Sequence, residues 1–384
     1  MRLTGPSAGL LGAATIVVAL VAATPDPEGL SRDRRTRAVV GTGELVAATT
    51  MRANRAAHTA TALIDGRVLV AGGFVEKGSV VGAEIYEPAT ASFSTVPPMV
   101  VTRHSHTATR LGDGSVLITG GYGEGTTTLA SAEVFDPRTR TFAPTGGLLE
   151  ARADHVAVLL QDGTVLVAGG LGSGWTFLAS AEIYDPQTRR FARTGPMTIE
   201  RESHTAVRLD DGRVLVAGGH RGRRAALRLH ASAEVYDPTT GAFTRVGDLQ
   251  TARHKHDAVR LPDGRVLVTG GSDERDSEGV FQTTEVFDPR RGTFASGPSM
   301  QLPRYKHAGS AVVLADGRVL LAGGAAQVEL HDPLTGTFAL VPGAPRLAGL
   351  FSAVAPLADG GALITGGYGQ GGGPRASAWR YSNP

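Results

Sequence analysis

Six times along the chain an arginine stands three residues ahead of a histidine: Arg55/His58, Arg103/His106, Arg152/His155, Arg201/His204, Arg253/His256 and Arg304/His307. A seventh copy has Arg346, with Gly349 where the histidine would stand. Guanidinium groups clamp anions through fixed N–H forks, and imidazole moves protons near neutral pH. Gathered at one place, these side chains would form a cationic mouth for an anionic ligand. A feature repeated this often, however, serves what all copies share, which is packing. Each of the six full copies is followed by a glutamate, Glu84, Glu133, Glu182, Glu234, Glu285 and Glu329, and the seventh has Trp379 instead. If a strand carrying only glycine lies between them, Arg or His can reach Glu across about two strand spacings, ~10 Å. The repeat histidines and glutamates are therefore read as architecture.

A site proper should break the pattern. His104 and His254 turn two copies into His-x-His, which in a strand points both rings to one side, as a metal site would need. Each pair already holds its repeat histidine, so no metal site is assigned. Asp154, Glu202 and Asp257 are the non-repeating acids near these segments. A basic run, His220-Arg221-Gly222-Arg223-Arg224, is followed one repeat later by an acidic one, Asp273-Glu274-Arg275-Asp276-Ser277-Glu278. The two either attract each other or form a partner surface. Trp175 is the one large aromatic expected at a loop surface, suited to sugar stacking or a protein contact. The binding candidates are thus the seven arginines with Arg221, Arg223, Arg224 and Trp175; no catalytic residue is assigned.

What positions these residues is a repeat. Gly-Gly doublets fall at 72/73, 120/121, 169/170, 218/219, 270/271, 323/324 and 366/367, at intervals of roughly 50 residues. Ahead of each lies an Asp-Gly turn and an apolar run such as Val165-Leu166-Val167; after six of them come Glu and Asp-Pro or Glu-Pro. Asp-Gly between apolar runs predicts a two-residue hairpin turn, and Asp-Pro-x-Thr marks the next turn. Each unit is then a four-stranded antiparallel meander, strands A to D, which buries its faces only by stacking on neighbours. The D–A and B–C connections share one face of the assembly, and they are the variable ones.

The Gly-Gly doublet, the Glu-x-Tyr-Asp-Pro segment and an aromatic in strand D resemble the Kelch repeat over residues 39–384. The strand D aromatic is phenylalanine at 93, 142, 191, 243, 294 and 338. The resemblance implies an all-β, seven-bladed β-propeller with blades near 51–98, 99–147, 148–196, 197–248, 249–299, 300–343 and 344–384. The last unit stops after strand C, and Thr42-Gly43-Glu44-Leu45 is placed to supply its strand D, so residues 39–47 should close the ring. Galactose oxidase-like enzymes carry such propellers, with a copper site built on a tyrosine crosslinked to cysteine. The chain has no cysteine and cannot form that cofactor. Sialic-acid epimerases with Kelch repeats are the other enzymatic resemblance, and would need a channel acid or base such as Asp154 or Glu202.

Composition adds bounds. The net charge is +2, but residues 1–37 carry five basic and three acidic residues, so the remaining body is neutral and gives no reason for a nucleic-acid partner. Residues 1–23 read as a signal peptide, with Arg2, an uncharged stretch Ala8–Ala23 and small residues at Val21-Ala22-Ala23. An uncleaved anchor is the alternative. Residues 24–38 read as a disordered linker. The expectation is a secreted or periplasmic monomer without cofactor, binding a protein or glycan through its D–A/B–C face. A sugar-converting enzyme at the channel mouth is the rival.

Overall fold

Each unit makes its first hairpin at Asp-Gly, and the glycine is there for its backbone. Gly66 sits at φ +87°, its N–H donating to the Leu63 carbonyl at 3.2 Å, while the Leu63 N–H donates to Arg67. The loop is therefore three residues, Ile64-Asp65-Gly66, rather than the two expected. A turn followed by a left-handed glycine is the next most favourable hairpin closure. Asp65 takes part as well, its carboxylate accepting the Arg67 N–H at 3.1 Å.

The computed structural model describes residues 41–76, 78–343, 349–369 and 372–383. The expected signal peptide, linker and Arg346 lie outside the described residues. Seven four-stranded antiparallel sheets follow one another along the chain. Blade 1 is typical: strand A Thr59–Ala62, strand B Val68–Ala71, strand C Ala83–Glu87 and strand D Ser92–Val96. Blade 7 runs Ala353–Pro356, Ala362–Thr365 and Ala378–Ser382, and its fourth strand is Glu44–Ala47 from the start of the propeller. The closing pair is in register from Glu44 opposite Ser382 to Ala47 opposite Trp379.

Strand B is buried along its whole length because it is sandwiched between blades. In blade 1, Val68 and Val70 pack with Tyr86, Leu363 and Ala355 toward blade 7. Leu69 and Ala71 pack with Val116, Ile118 and Phe135 toward blade 2. The period-2 alternation of a strand thus feeds two interfaces, and the continuous apolar run follows from that. Further out, the strand C aromatic meets the strand D phenylalanine in six blades, with ring centroids 4.5–5.0 Å apart.

The Gly-Gly doublet is the junction between blades. The second glycine donates its N–H to the next blade's carbonyl at the arginine position: Gly73 to Arg103, Gly121 to Arg152, Gly170 to Arg201, Gly219 to Arg253, Gly271 to Arg304, Gly324 to Gly349 and Gly367 to Arg55, all at 2.8–2.9 Å. All seven junctions, including the closing one, carry this bond. A Cβ on Gly72 would stand 2.5 Å from that Arg103 carbonyl oxygen and 2.6 Å from the His106 ring, so only glycine fits.

Candidate functional site

The repeat arginines are turned inward. Arg55, Arg103, Arg152, Arg201, Arg253 and Arg304 are 0–1% exposed, the largest fully buried side chains of the described residues. Each meets the glutamate of its own blade, at 2.7 Å (Glu84), 2.8 Å (Glu133), 2.9 Å (Glu182), 2.8 Å (Glu234), 2.9 Å (Glu285) and 3.0 Å (Glu329). Each also donates to the carbonyl of the first glycine of its doublet, as Arg152 does to Gly169 at 2.8 Å. The glutamate in turn accepts backbone N–H groups of the D–A loop, such as Leu149 onto Glu182 at 2.7 Å. A buried ion pair is tolerated when its remaining donors and lone pairs are satisfied, and this one nearly is. The guanidinium then cross-links strands A, B and C of one blade. These six arginines are not available to a ligand, which corrects the cationic mouth the sequence suggested.

The repeat histidines bridge to the preceding blade. His58 Nε2 meets Thr365 Oγ1 at 2.8 Å, His155 Nε2 meets Thr107 Oγ1 at 3.0 Å and His256 Nε2 meets Thr205 Oγ1 at 3.0 Å. His106 and His307 do the same through Thr59 and the Thr269 carbonyl. His204 takes the same place against Gly169. Burial first, and the adjacent arginine second, push these imidazoles down, to about 3 for His155 and His307. They stay neutral at physiological pH. In blade 7 the register differs from the expected one: the Gly349 carbonyl occupies the arginine slot, and Ser352, bonded to the Gly366 carbonyl, occupies the histidine slot. Trp379, opposite Ile364, stands where the other blades have glutamate.

Between arginine and histidine lies a position the sequence reading passed over. Ala57, Ser105, Asp154, Ser203, Lys255, Lys306 and Phe351 all adopt left-handed backbone, φ +49° to +55°. This conformation costs a non-glycine residue roughly 1 kcal/mol or more, and it is held by a ring of bonds. Six of the seven N–H groups, Ser203 being the exception, donate to the same position of the previous blade: Ser105 to Ala57, Asp154 to Ser105, Lys255 to Ser203, Lys306 to Lys255, Phe351 to Lys306 and Ala57 to Phe351, at 2.8–3.1 Å. The seven residues form a collar at the D–A/B–C end of the central channel, above a cavity of about 460 Å³ lined by strand A. The left-handed turn also separates the His-x-His pairs, so they do not converge. His106 and His256 face the neighbouring blade, while His104 packs on Tyr122 and His254 shares a contact with His220, Nδ1 to Nδ1 at 3.1 Å.

The departures from seven-fold repetition collect at this collar. The hydroxyls of Ser105 and Tyr122 stand beside Asp154 and favour its charged form. Glu202, beside it and 8% exposed in its side chain, meets Arg223 at 3.3 Å and His220 at 3.9 Å. Burial first, then the Asp154 charge, push Glu202 up to about 7, and burial raises Asp154 as well. Arg223 lies over the ring of Trp175 at 4.4 Å to the centroid, and Trp175 keeps 49% exposure. In the next two blades, Lys255 meets Asp276 at 2.7 Å, and Lys306 stands 4.0 Å from the same carboxylate. The basic and acidic loops do not join: Arg221 pairs with Glu200 at 2.8 Å and Arg275 with its own loop's Asp273 at 2.5 Å. Arg224 is exposed in that loop. Two lysines in the same place of an Arg-x-Lys-His segment, in a chain with three lysines, were the signal that could have found the collar.

Among the described residues, no three His, Cys, Asp or Glu side chains are grouped as ligands for a metal ion, and no helix is long and apolar enough to cross a membrane. The Kelch motif matches residues 55–100, 152–198 and 203–250. Among solved structures, a fungal alcohol oxidase of the AA5 family, in complex with copper, is similar over 90% of this chain and 77% of its own, with TM-score 0.73 and 18% identity. The YjhT protein is similar over 77% of this chain and 99% of its own, with TM-score 0.60 and 12% identity. At such identities the likeness is one of fold, and the donors that would hold copper do not fit here, there being no cysteine and no ligand cluster among the described residues. No curated protein matches the chain. With three motif matches, seven equivalent junctions and a propeller closed by its first strand, the chain is a seven-bladed β-propeller that carries Kelch motifs in three of its blades.

Proposed function

We propose that the chain is an exported recognition module that holds a glycan at the collar of its channel. One observation carries this reading: the non-repeating polar and aromatic side chains, Tyr122, Asp154, Trp175, Glu202, Arg223, Lys255 and Asp276, are concentrated at one mouth. The cavity below, about 460 Å³, falls in the range of small-ligand sites. Asp154, Ser105, Ser203, Lys255 and Lys306 line the cavity, polar groups suited to a polyhydroxylated ligand. Trp175 presents an open ring face, as sugar stacking requires. Export rests on the composition of residues 1–23.

Titration of the purified chain with a panel of mono- and oligosaccharides is the test. Asp154→Ala and Trp175→Ala should each weaken the best ligand about tenfold or more, with melting temperatures close to wild type. Binding unchanged in both variants overturns the reading. A second reading, catalysis, is favoured by the Asp154 and Glu202 carboxyls: burial pushes both up, Glu202 to about 7, as acid–base work requires. Following the same mixtures by NMR separates the two: new resonances that Glu202→Gln abolishes would make the site an enzyme's.

A further inference from the structure

The six repeat arginines are spent on glutamates, yet the channel mouth is not without cation. Lys255 and Lys306 occupy adjacent collar positions in blades 5 and 6, and both line the cavity. Their side chains are 21% and 18% exposed, held there by the left-handed backbone that points the collar residues inward. Among the described residues, only one carboxylate lies within 4 Å of either ammonium. Asp276 takes Lys255 at 2.7 Å, and stands beyond hydrogen-bond reach of Lys306 at 4.0 Å. Among the described residues, Lys306 Nζ has no closer acidic partner. Its other neighbours are the rings of Tyr305 and Phe351, at 5.2 and 5.6 Å from their centroids. Aromatic faces attract an ammonium weakly and offer it no hydrogen-bond acceptor. A partly exposed ammonium with three donors and no protein acceptor within hydrogen-bond reach is free to take an anionic ligand.

The kind of anion follows from what else is there. The collar N–H groups of Ala57, Ser105, Asp154, Lys255, Lys306 and Phe351 are committed to neighbouring carbonyls. No backbone nest is therefore open to wrap a phosphate, and no free guanidinium fork of the repeat faces the cavity. A single compact charge is left to match, which suits one carboxylate. On the opposite side of the channel, Asp154 offers hydrogen-bonding oxygens to hydroxyls rather than a second cation for a second anionic group. We infer that Lys306, with Lys255 beside it, forms a subsite for the carboxylate of a hydroxylated monoacid, so that the ligand proposed above is an acidic sugar lying across the collar from Lys306 to Asp154.

This rests on the glycan reading and is tested so that the two fail differently. Glucuronate and glucose, which differ by a carboxylate, are titrated calorimetrically against the full chain at low and at physiological salt. Glucuronate should bind about tenfold more tightly than glucose, the usual scale for gaining a close charge pair, and only glucuronate should weaken with added salt. Lys306→Met should bring glucuronate down to the glucose affinity, and Lys306→Arg should retain part of the preference. Equal binding of the two sugars by wild type overturns the carboxylate subsite while leaving the glycan reading in place. So does an undiminished preference in Lys306→Met. If neither sugar binds, both readings fall. The salt dependence needs no variant, so the test holds even if Lys306→Met does not fold.

Discussion

Glu202 shows how differently two acids of one propeller behave. The repeat glutamates are equally buried, but each is met by a guanidinium and by backbone N–H donors. Glu202 has Arg223 at 3.3 Å, itself half-exposed, and Asp154 close enough to oppose its charge. Burial therefore wins and raises its carboxyl to about 7 from an ordinary value of 4.5. A carboxyl raised in the folded state binds more protons folded than unfolded between those values. Stability must then fall as pH rises through that window, by up to roughly 3 kcal/mol if the whole shift is expressed. Melting temperature measured from pH 4.5 to 7.5 should decline in wild type and stay flatter in Glu202→Gln. Parallel curves would show that the proton is held elsewhere. At this scale the sequence was legible where it repeated: the Arg–Glu reach across glycine follows from spacing alone. The collar was not, since five residue types fill its seven places and only its φ repeats. Blade 7 misled for a related reason. In blades 1 to 5 the arginine stands ten residues before the Asp of the hairpin, as Arg55 does before Asp65, and Gly349 holds that place before Asp359. Arg346 merely imitates the motif.

Strands are joined into blades by ordinary hairpins, but blades are joined to each other by glycine. At Gly121 the backbone has φ +93°, and a Cβ would meet the His104 carbonyl oxygen at 2.5 Å and His106 Cβ at 2.8 Å. Two penalties coincide there: the left-handed conformation, and displacement of the collar turn that precedes His106. Gly78, in the B–C loop of blade 1, has a similar φ of +95° and nothing within 4 Å of its would-be Cβ. Comparing the two separates conformation from contact. Gly78→Ala should cost about 1–2 kcal/mol, and Gly121→Ala about 3 kcal/mol or more, since overpacking adds to it. Urea unfolding of both variants measures this. Equal losses would mean that the Gly-Gly doublet is kept for its φ alone, with no role for the blade junction. The doublet, its period and the strand order were all readable in advance because turn chemistry and alternation are local. The hairpin length was not, since two- and three-residue loops both accept Asp-Gly and the flanking pairs decide between them.

For the whole ring, closure is a matter of one strand. Glu44–Ala47 is the fourth strand of blade 7, and Leu45, 3% exposed, packs with Tyr381, Leu330 and Val341. Without it, Ala378–Ser382 would present an unpaired edge, and exposed edges pair with other chains. That the last unit lacks a strand and the first residues supply one was visible by counting, because every other unit has four. Geometry also says how to repair the loss. Glu44 lies opposite Ser382, so the end of strand C and the start of the closing strand are neighbours, as in the C–D hairpin of the other blades. A chain starting at residue 48 should melt at lower temperature and form concentration-dependent oligomers in sedimentation. The same chain with residues 43–47 appended after Asn383 through a short turn should return to a monomer with wild-type melting. If the truncated chain stays monomeric and melts as wild type does, the ring is held by its seven glycine junctions and the borrowed strand is dispensable. If the appended strand fails to restore it, the order of the chain matters as well as the pairing, and the closing strand must be made first to guide the last blade home.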